Sequence, residues 1–179
     1  LKDTKEKRIS GKTLFRGRIV TLEVDSVELP DGGTATREVV RHKPAIGLVP
    51  VLGNGNILLV RQYRYATGET LFEIPAGIVE DGEEFLDTAM RELQEETGFK
   101  ASSLEKIAEF YTSPGFSNEL LVVFVAKGLE ESKLEPDDDE FIDLVELPPD
   151  RVQKMMDDGT IRDGKTFAAL SWYFMKERS

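Results

Sequence analysis

Short β-patterned runs, each ended by a cluster of Gly, Pro, Asn or Asp, recur along most of the chain and limit its fold more than any other feature. Residues 14–29 are rich in Val, Leu and Phe, Pro30-Asp31-Gly32-Gly33 breaks them, and the pattern resumes over 34–42. That order predicts an N-terminal hairpin. Residues 47–52 and 57–63 repeat the signature around Gly53-Asn54-Gly55-Asn56, which predicts a second hairpin. Further strands are expected over 71–75, 107–112, 120–127 and 141–147, with the last closing the sheet. Helical spacing is confined to 84–97, 166–176 and a shorter stretch near 151–157. Strands in succession with few inserted helices argue against a regularly alternating doubly wound fold and predict an α+β or mixed-sheet sandwich with an N-terminal antiparallel hairpin.

The first long helix is well bounded. Asp81 is placed to cap it with Glu84 reaching back, and Gly98 is suited to end it. At about 100° per residue, Leu86, Ala89, Met90 and Leu93 form a core-facing stripe, and Glu92, Glu95 and Glu96 fall in the adjacent sector. Glu92 and Glu96 are like charges at i and i+4, so they need a compensating cation or free solvation. Glu95 is the i+4 partner of Arg91.

Net charge and composition narrow the chemistry. The 23 Lys and Arg against 34 Asp and Glu give −11, with no basic block, so nucleic acid is not an expected partner. A small anionic substrate remains compatible if divalent cations stand between the two sets of negative charge. The absence of cysteine removes disulfides, thiolate zinc sites and cysteine nucleophiles, and the single His42 cannot build a multi-histidine site. His42 is read as a solvated or hydrogen-bonded residue at a strand end. The longest apolar stretches, 46–52 and 120–126, fall far short of the roughly 20 residues a membrane helix needs, and residues 1–8 carry no apolar signal core. No membrane partner is expected, and a cytoplasmic location is the default.

From Gly77 the chain reads Gly77-Ile78-Val79-Glu80-Asp81-Gly82-Glu83, then seven residues, then Arg91-Glu92-Leu93-Gln94-Glu95-Glu96-Thr97-Gly98-Phe99. Glycine, Glu83, Arg91-Glu92, an aliphatic, Glu95-Glu96, Gly98 and an aromatic stand at the spacing of the Nudix box, nine specified positions over 23 residues. The chain thus resembles the Nudix hydrolase family. The resemblance implies the Nudix fold, a mixed β-sheet sandwiched between α-helices, and a loop-helix-loop site whose glutamates hold divalent cations. Position by position, it makes Glu92 and Glu96 the principal metal ligands, Glu95 a third or water-mediated ligand, and the Ala76 backbone carbonyl another. It makes Glu83 and Arg91 a structural salt bridge. All-oxygen ligation suits Mg²⁺, and Mn²⁺ can replace it.

Outside the box, Tyr111-Thr112-Ser113-Pro114-Gly115 with Glu119 resembles the ADP-ribose pyrophosphatase subfamily, Pro114 lying 16 residues after Gly98. Arg61-Gln62-Tyr63-Arg64, Glu73-Ile74-Pro75-Ala76, Arg37-Glu38 and Asp163-Gly164-Lys165-Thr166 extend that likeness over most of the chain. It implies a homodimer in which residues 1–42 form a hairpin arm making dimer and substrate contacts, with 43–179 as the hydrolase domain. It places Arg37 and Glu38 near the nucleoside, Arg61 at a phosphate, Glu73 beside the metal site and Pro114 among the substrate contacts. The acidic run Glu135-Pro136-Asp137-Asp138-Asp139-Glu140 supplies Glu140 as the expected general base, delivered by a loop. The implied reaction is hydrolysis of ADP-ribose to AMP and ribose 5-phosphate. The alternatives are another nucleoside diphosphate sugar or dinucleotide as substrate, and a domain that senses ADP-ribose without cutting it.

Overall fold

In the computed structural model, which describes residues 3–132 and 141–178, the chain divides into two compact units. The first comprises Leu1–Pro44 with Tyr111–Leu120, and the second Ala45–Phe110 with Leu121–Ser179.

The first unit is built on an antiparallel sheet of β1 (Lys7–Arg16), β2 (Val20–Glu28) and β3 (Thr34–His42), in that order. The expected hairpin is β2–β3, in register from Val20 opposite His42 to Glu28 opposite Thr34. Its turn needs Gly32, whose φ of 84° is the left-handed region that side chains disfavour. The run read as one strand from residue 14 is divided at Gly17, and β1 begins seven residues earlier than the pattern suggested. The reason is that every residue of β1 is exposed, so no buried face imposes alternation on its sequence. The 111–120 segment bonds along β3: the Val40 amide donates to the Phe116 carbonyl at 2.8 Å, and the His42 amide to Asn118 Oδ1 at 2.9 Å.

The second unit holds β4 (Ala45–Pro50), β5 (Ile57–Arg64), β6 (Glu69–Glu73), β7 (Ala76–Ile78), α1 (Phe85–Thr97), most of β8 (Phe99–Tyr111) and β9 (Leu120–Glu131), β10 (Ile142–Leu147), α2 (Pro149–Asp157) and α3 (Gly164–Glu177). One sheet runs β7-β4-β9-β8, with β4 parallel to β9 and antiparallel to β7, and a second runs β10-β5-β6 with both pairs antiparallel. This is the α+β architecture of mixed strands and flanking helices. All six residues of β4 and the 121–126 run of β9 are buried, as expected of central strands covered on both faces. Side chains from both sheets, α2 and α3 form one core, with Val49, Leu59, Leu121, Val123, Met155 and Leu170 at most 2 % exposed.

The second hairpin expected around residues 53–56 does not form. β4 and β5 belong to different sheets, and a single bridge between Val51 and Ile57 joins their ends. Each strand has two longer partners elsewhere, and these ladders outcompete a local pairing. Strand β10 lies at an edge, consistent with a closing strand.

Candidate active site

The site is assembled where β6 ends, turns through Ile74 and Pro75 into β7, and continues by a loop into α1. That helix lies against β4 and β7. Asp81 is not its cap: Glu84 occupies the N-cap position in extended conformation without a side-chain bond, and Phe85 opens the helix. Glu83 organises the entry instead. Its Oε2 accepts from Thr88 Oγ1 at 2.8 Å and from the Glu80 amide at 3.2 Å. The other end stops at Gly98, left-handed with φ 74°, whose amide donates to the Gln94 carbonyl at 3.0 Å.

The buried stripe of α1 is rotated from the one anticipated. Leu86 is 53 % exposed, while Thr88, Ala89, Glu92, Leu93 and Thr97 are buried. Glu92, only 9 % exposed, therefore sits within the core-facing stripe and not beside it. Gly77 gives it room. A Cβ on Gly77 would lie 2.5 Å from Glu92 Oε2 and closer still to Cδ and Oε1, so the carboxylate packs directly on the glycine backbone.

Arg91 stands at the centre of three carboxylates. Its Nε and Nη2 each bond Glu83 at 3.1 Å, and its Nη1 bonds Glu92 Oε1 at 2.7 Å and Glu95 Oε2 at 2.9 Å. The guanidinium is thereby held firmly charged, first by Glu83. Hydrogen bonds from Arg91 and then Thr88 lower the Glu83 carboxyl from 4.5 to about 2. Glu96 turns the other way, accepting from the Ala76 amide at 3.1 Å, which ties α1 to the start of β7.

Glu73 is 1 % exposed, and both its oxygens are engaged: Arg64 forks onto it with two bonds of 2.8 Å, and Lys165 Nζ bonds Oε2. Burial alone would push this carboxyl up, but the hydrogen bonds and charge of Arg64 and Lys165 outweigh it and hold it below the usual range. Arg64, raised first by its bonds to Glu73, also feels the charge of Glu96.

Arg61 is half exposed and 3.4 Å from Asp143. Arg37, Glu38 and Pro114 belong to the first unit: Arg37 bonds Glu6, Glu38 is exposed opposite Val24, and Pro114 lies in an exposed turn closed by the Ser117 amide on the Ser113 carbonyl at 2.9 Å. His42 is hydrogen-bonded through Nδ1 to the Lys43 carbonyl at 2.6 Å. Glu140 lies outside the described residues. Arg64 and Lys165 had no assigned partner in the sequence. The available signal was Asp163 three positions before Thr166, an N-cap spacing that the structure uses, with Thr166 donating its amide to Asp163 Oδ2 at 2.9 Å.

Residues 41–170 match the NUDIX domain, and residues 6–40 match the nucleoside diphosphate sugar hydrolase N-terminal domain. The chain belongs to the Nudix family. It is 41 % identical to the ADP-ribose pyrophosphatase of Bacillus subtilis (strain 168), over 99 % of this chain and 97 % of that protein. It is 42 % identical to the methanol dehydrogenase activator of Bacillus methanolicus, over 96 % and 94 %. In fold it is similar to the crystal structure of an ADP compounds hydrolase, with a TM-score of 0.87 at 24 % identity over 98 % and 96 % of the two chains. This Nudix protein is accordingly a hydrolase of phosphoanhydride substrates, a pyrophosphatase acting on a nucleotide or a nucleoside-diphosphate-sugar-like compound.

Nudix enzymes commonly use Mg²⁺. Among the described residues, no group of three Asp, Glu or His side chains is already arranged to hold a metal ion, and Arg91 bonds both Glu92 and Glu95. The donor chemistry nonetheless fits a hard cation. Glu92, Glu95 and Glu96 offer only oxygen, and Gly77 leaves the Glu92 carboxylate a place against the backbone. Among the described residues, no helix is long and apolar enough to cross a membrane.

Proposed function

We propose that this Nudix enzyme hydrolyses the pyrophosphate bond of ADP-ribose, water adding to one phosphorus as the bridging oxygen leaves with the other, to give AMP and ribose 5-phosphate. The observation that carries the reading is end-to-end similarity to an ADP-ribose pyrophosphatase, extending well beyond the box. Glu92 and Glu96 hold Mg²⁺ or Mn²⁺, with Glu95 and the Ala76 carbonyl completing the protein's share of the ligands. When bound, the cation supplies positive charge to the diphosphate and acidifies water. Arg91, braced by Glu83, keeps α1 and its entry loop in one geometry.

Arg61 binds a phosphate. Glu73 acts through Arg64, because both of its own oxygens are engaged. Glu140 is the general base. Arg37 and Glu38 serve the nucleoside end in a homodimer, a reading supported by the match of residues 6–40 to the N-terminal domain of nucleoside diphosphate sugar hydrolases, and Pro114 contacts the substrate.

A second reading is favoured by similarity to the GDP-mannose pyrophosphatase of Yersinia enterocolitica, 34 % identical over 80 % of this chain. In that reading the chain cuts a different nucleoside diphosphate derivative, a dinucleotide or another sugar. A panel of ADP-ribose, GDP-mannose, dinucleotides and nucleoside triphosphates with Mg²⁺ separates the two. ADP-ribose should be cut with the highest kcat/KM, and equal or faster cleavage of any other compound defeats the assignment.

A further inference from the structure

The motif Asp163-Gly164-Lys165-Thr166 does more than start a helix. Asp163 Oδ2 accepts from the Thr166 amide at 2.9 Å, from Thr166 Oγ1 at 2.5 Å and from Lys165 Nζ at 3.0 Å. Those bonds would complete an ordinary N-cap. Two additional bonds reach across 92 residues of sequence. The Thr166 hydroxyl, its proton committed to Asp163, accepts from the Ile74 amide at 2.9 Å, and Lys165 Nζ bonds Glu73 Oε2. Thr166 is 0 % exposed, so the Ile74 amide has no access to water there as a substitute acceptor.

Glu73-Ile74-Pro75-Ala76 is pinned at every residue, by four elements in all. Glu73 is held by Arg64 of β5 and by Lys165, and Ile74 by Thr166. Pro75 has no amide to offer, and its carbonyl accepts from the Leu48 amide of β4 at 2.8 Å. The Ala76 amide then donates to Glu96 of α1. The segment is thus a short bridge with the N-terminus of α3 at one end and a box glutamate at the other. Its four charges, Arg64 and Lys165 against Glu73 and Asp163, cancel, so the bridge is fixed without adding net charge beside the box.

We propose that Lys165 and Thr166 are positioning residues for the cation site, setting the Ala76 backbone and the Glu96 carboxylate from a helix that contributes no residue to the box. This rests on the reading of Glu92 and Glu96 as cation ligands. Groups one step removed from a metal ligand commonly change metal affinity when they are replaced. Here the effect passes through two residues of backbone, from Ile74 to Ala76.

The test is Mn²⁺ binding to the substrate-free full chain, followed by electron paramagnetic resonance, with circular dichroism as the check on folding. Thr166→Val keeps the side-chain volume but removes the acceptor, and should weaken Mn²⁺ binding about 10-fold or more. Thr166→Ser, which retains the hydroxyl, should bind nearly as the wild type does. Lys165→Met should also weaken binding. Wild-type affinity in folded Thr166→Val and folded Lys165→Met overturns the proposal. Should Thr166→Val fail to fold, Lys165→Met decides alone, because it leaves the Asp163–Thr166 cap and the Arg64–Glu73 bonds in place. If the wild type binds no Mn²⁺, or binds it undiminished in Glu92→Gln, the cation-site reading fails first and the positioning role falls with it.

Discussion

Replacing Gly77 by alanine adds one methyl group at the point where the box loop meets α1. The new Cβ would lie 2.5 Å from Glu92 Oε2 and nearer to Cδ, where ordinary contact begins at 3.4 Å. Relieving even the milder of these overlaps requires a shift of at least 0.9 Å. Glu92 cannot yield freely, because its Oε1 is bonded to Arg91 at 2.7 Å and its residue is buried. Either the carboxylate swings off Arg91 or β7 withdraws from α1 and strains the Ala76–Glu96 bond. Overpacking of this kind costs about 1–3 kcal/mol, which for a chain of this length lowers Tm by roughly 2–12 °C. A misplacement of about 1 Å at a reacting centre can lower activity about 100-fold. The assay is kcat/KM for ADP-ribose at saturating Mg²⁺, with thermal unfolding measured alongside. Gly53→Ala is the control, since a Cβ there meets nothing within 4 Å. Gly77→Ala with wild-type kcat/KM would refute the claim that the Glu92 carboxylate must rest against the Gly77 backbone.

Two further outcomes follow from the same geometry. The Glu83 carboxyl falls to about 2 on folding from an ordinary 4.5, so its charged form stabilises the fold fully above pH 4.5 and progressively less as pH drops toward 2. The Tm difference between wild type and Glu83→Gln should therefore narrow over that window, and a difference independent of pH would contradict the role of the Arg91 bond. Leu170→Ala empties a fully buried position of α3 in the shared core and should destabilise the chain by about 2–5 kcal/mol in urea unfolding. A loss below about 1 kcal/mol would mean that the core collapses around the gap.

What could be read from the sequence was local, and what could not was tertiary. The loop from Gly77 to Gly98 was legible because its spacing, its helix and its terminating glycine all lie within one short segment. Even there the periodicity placed Leu86 inward, whereas the helix turns Glu92 into the buried face, since the close approach of Gly77 admits a carboxylate that hydropathy alone would send to solvent. Strand β1 left no pattern because none of its residues is buried. The 53–56 turn mimicked a hairpin because turn residues look the same whether the chain returns to its own strand or crosses to another sheet. The contacts of Lys165 and Thr166 with Glu73 and Ile74 were invisible for a simpler reason. Nothing in a linear sequence says that residues 92 positions apart share a hydrogen bond.

Hydrolysis is proposed to depend on box glutamates that let an anionic protein cut an anionic diphosphate. The most direct test is incubation of ADP-ribose and Mg²⁺ in ¹⁸O-enriched water with the wild type and with the double variant Glu92→Gln, Glu96→Gln, the products being read by mass spectrometry. The wild type should yield AMP and ribose 5-phosphate with one heavy oxygen on one of the two phosphates, and the folded double variant should yield almost none. Undiminished hydrolysis by the variant, or intact ADP-ribose with the wild type, would contradict it.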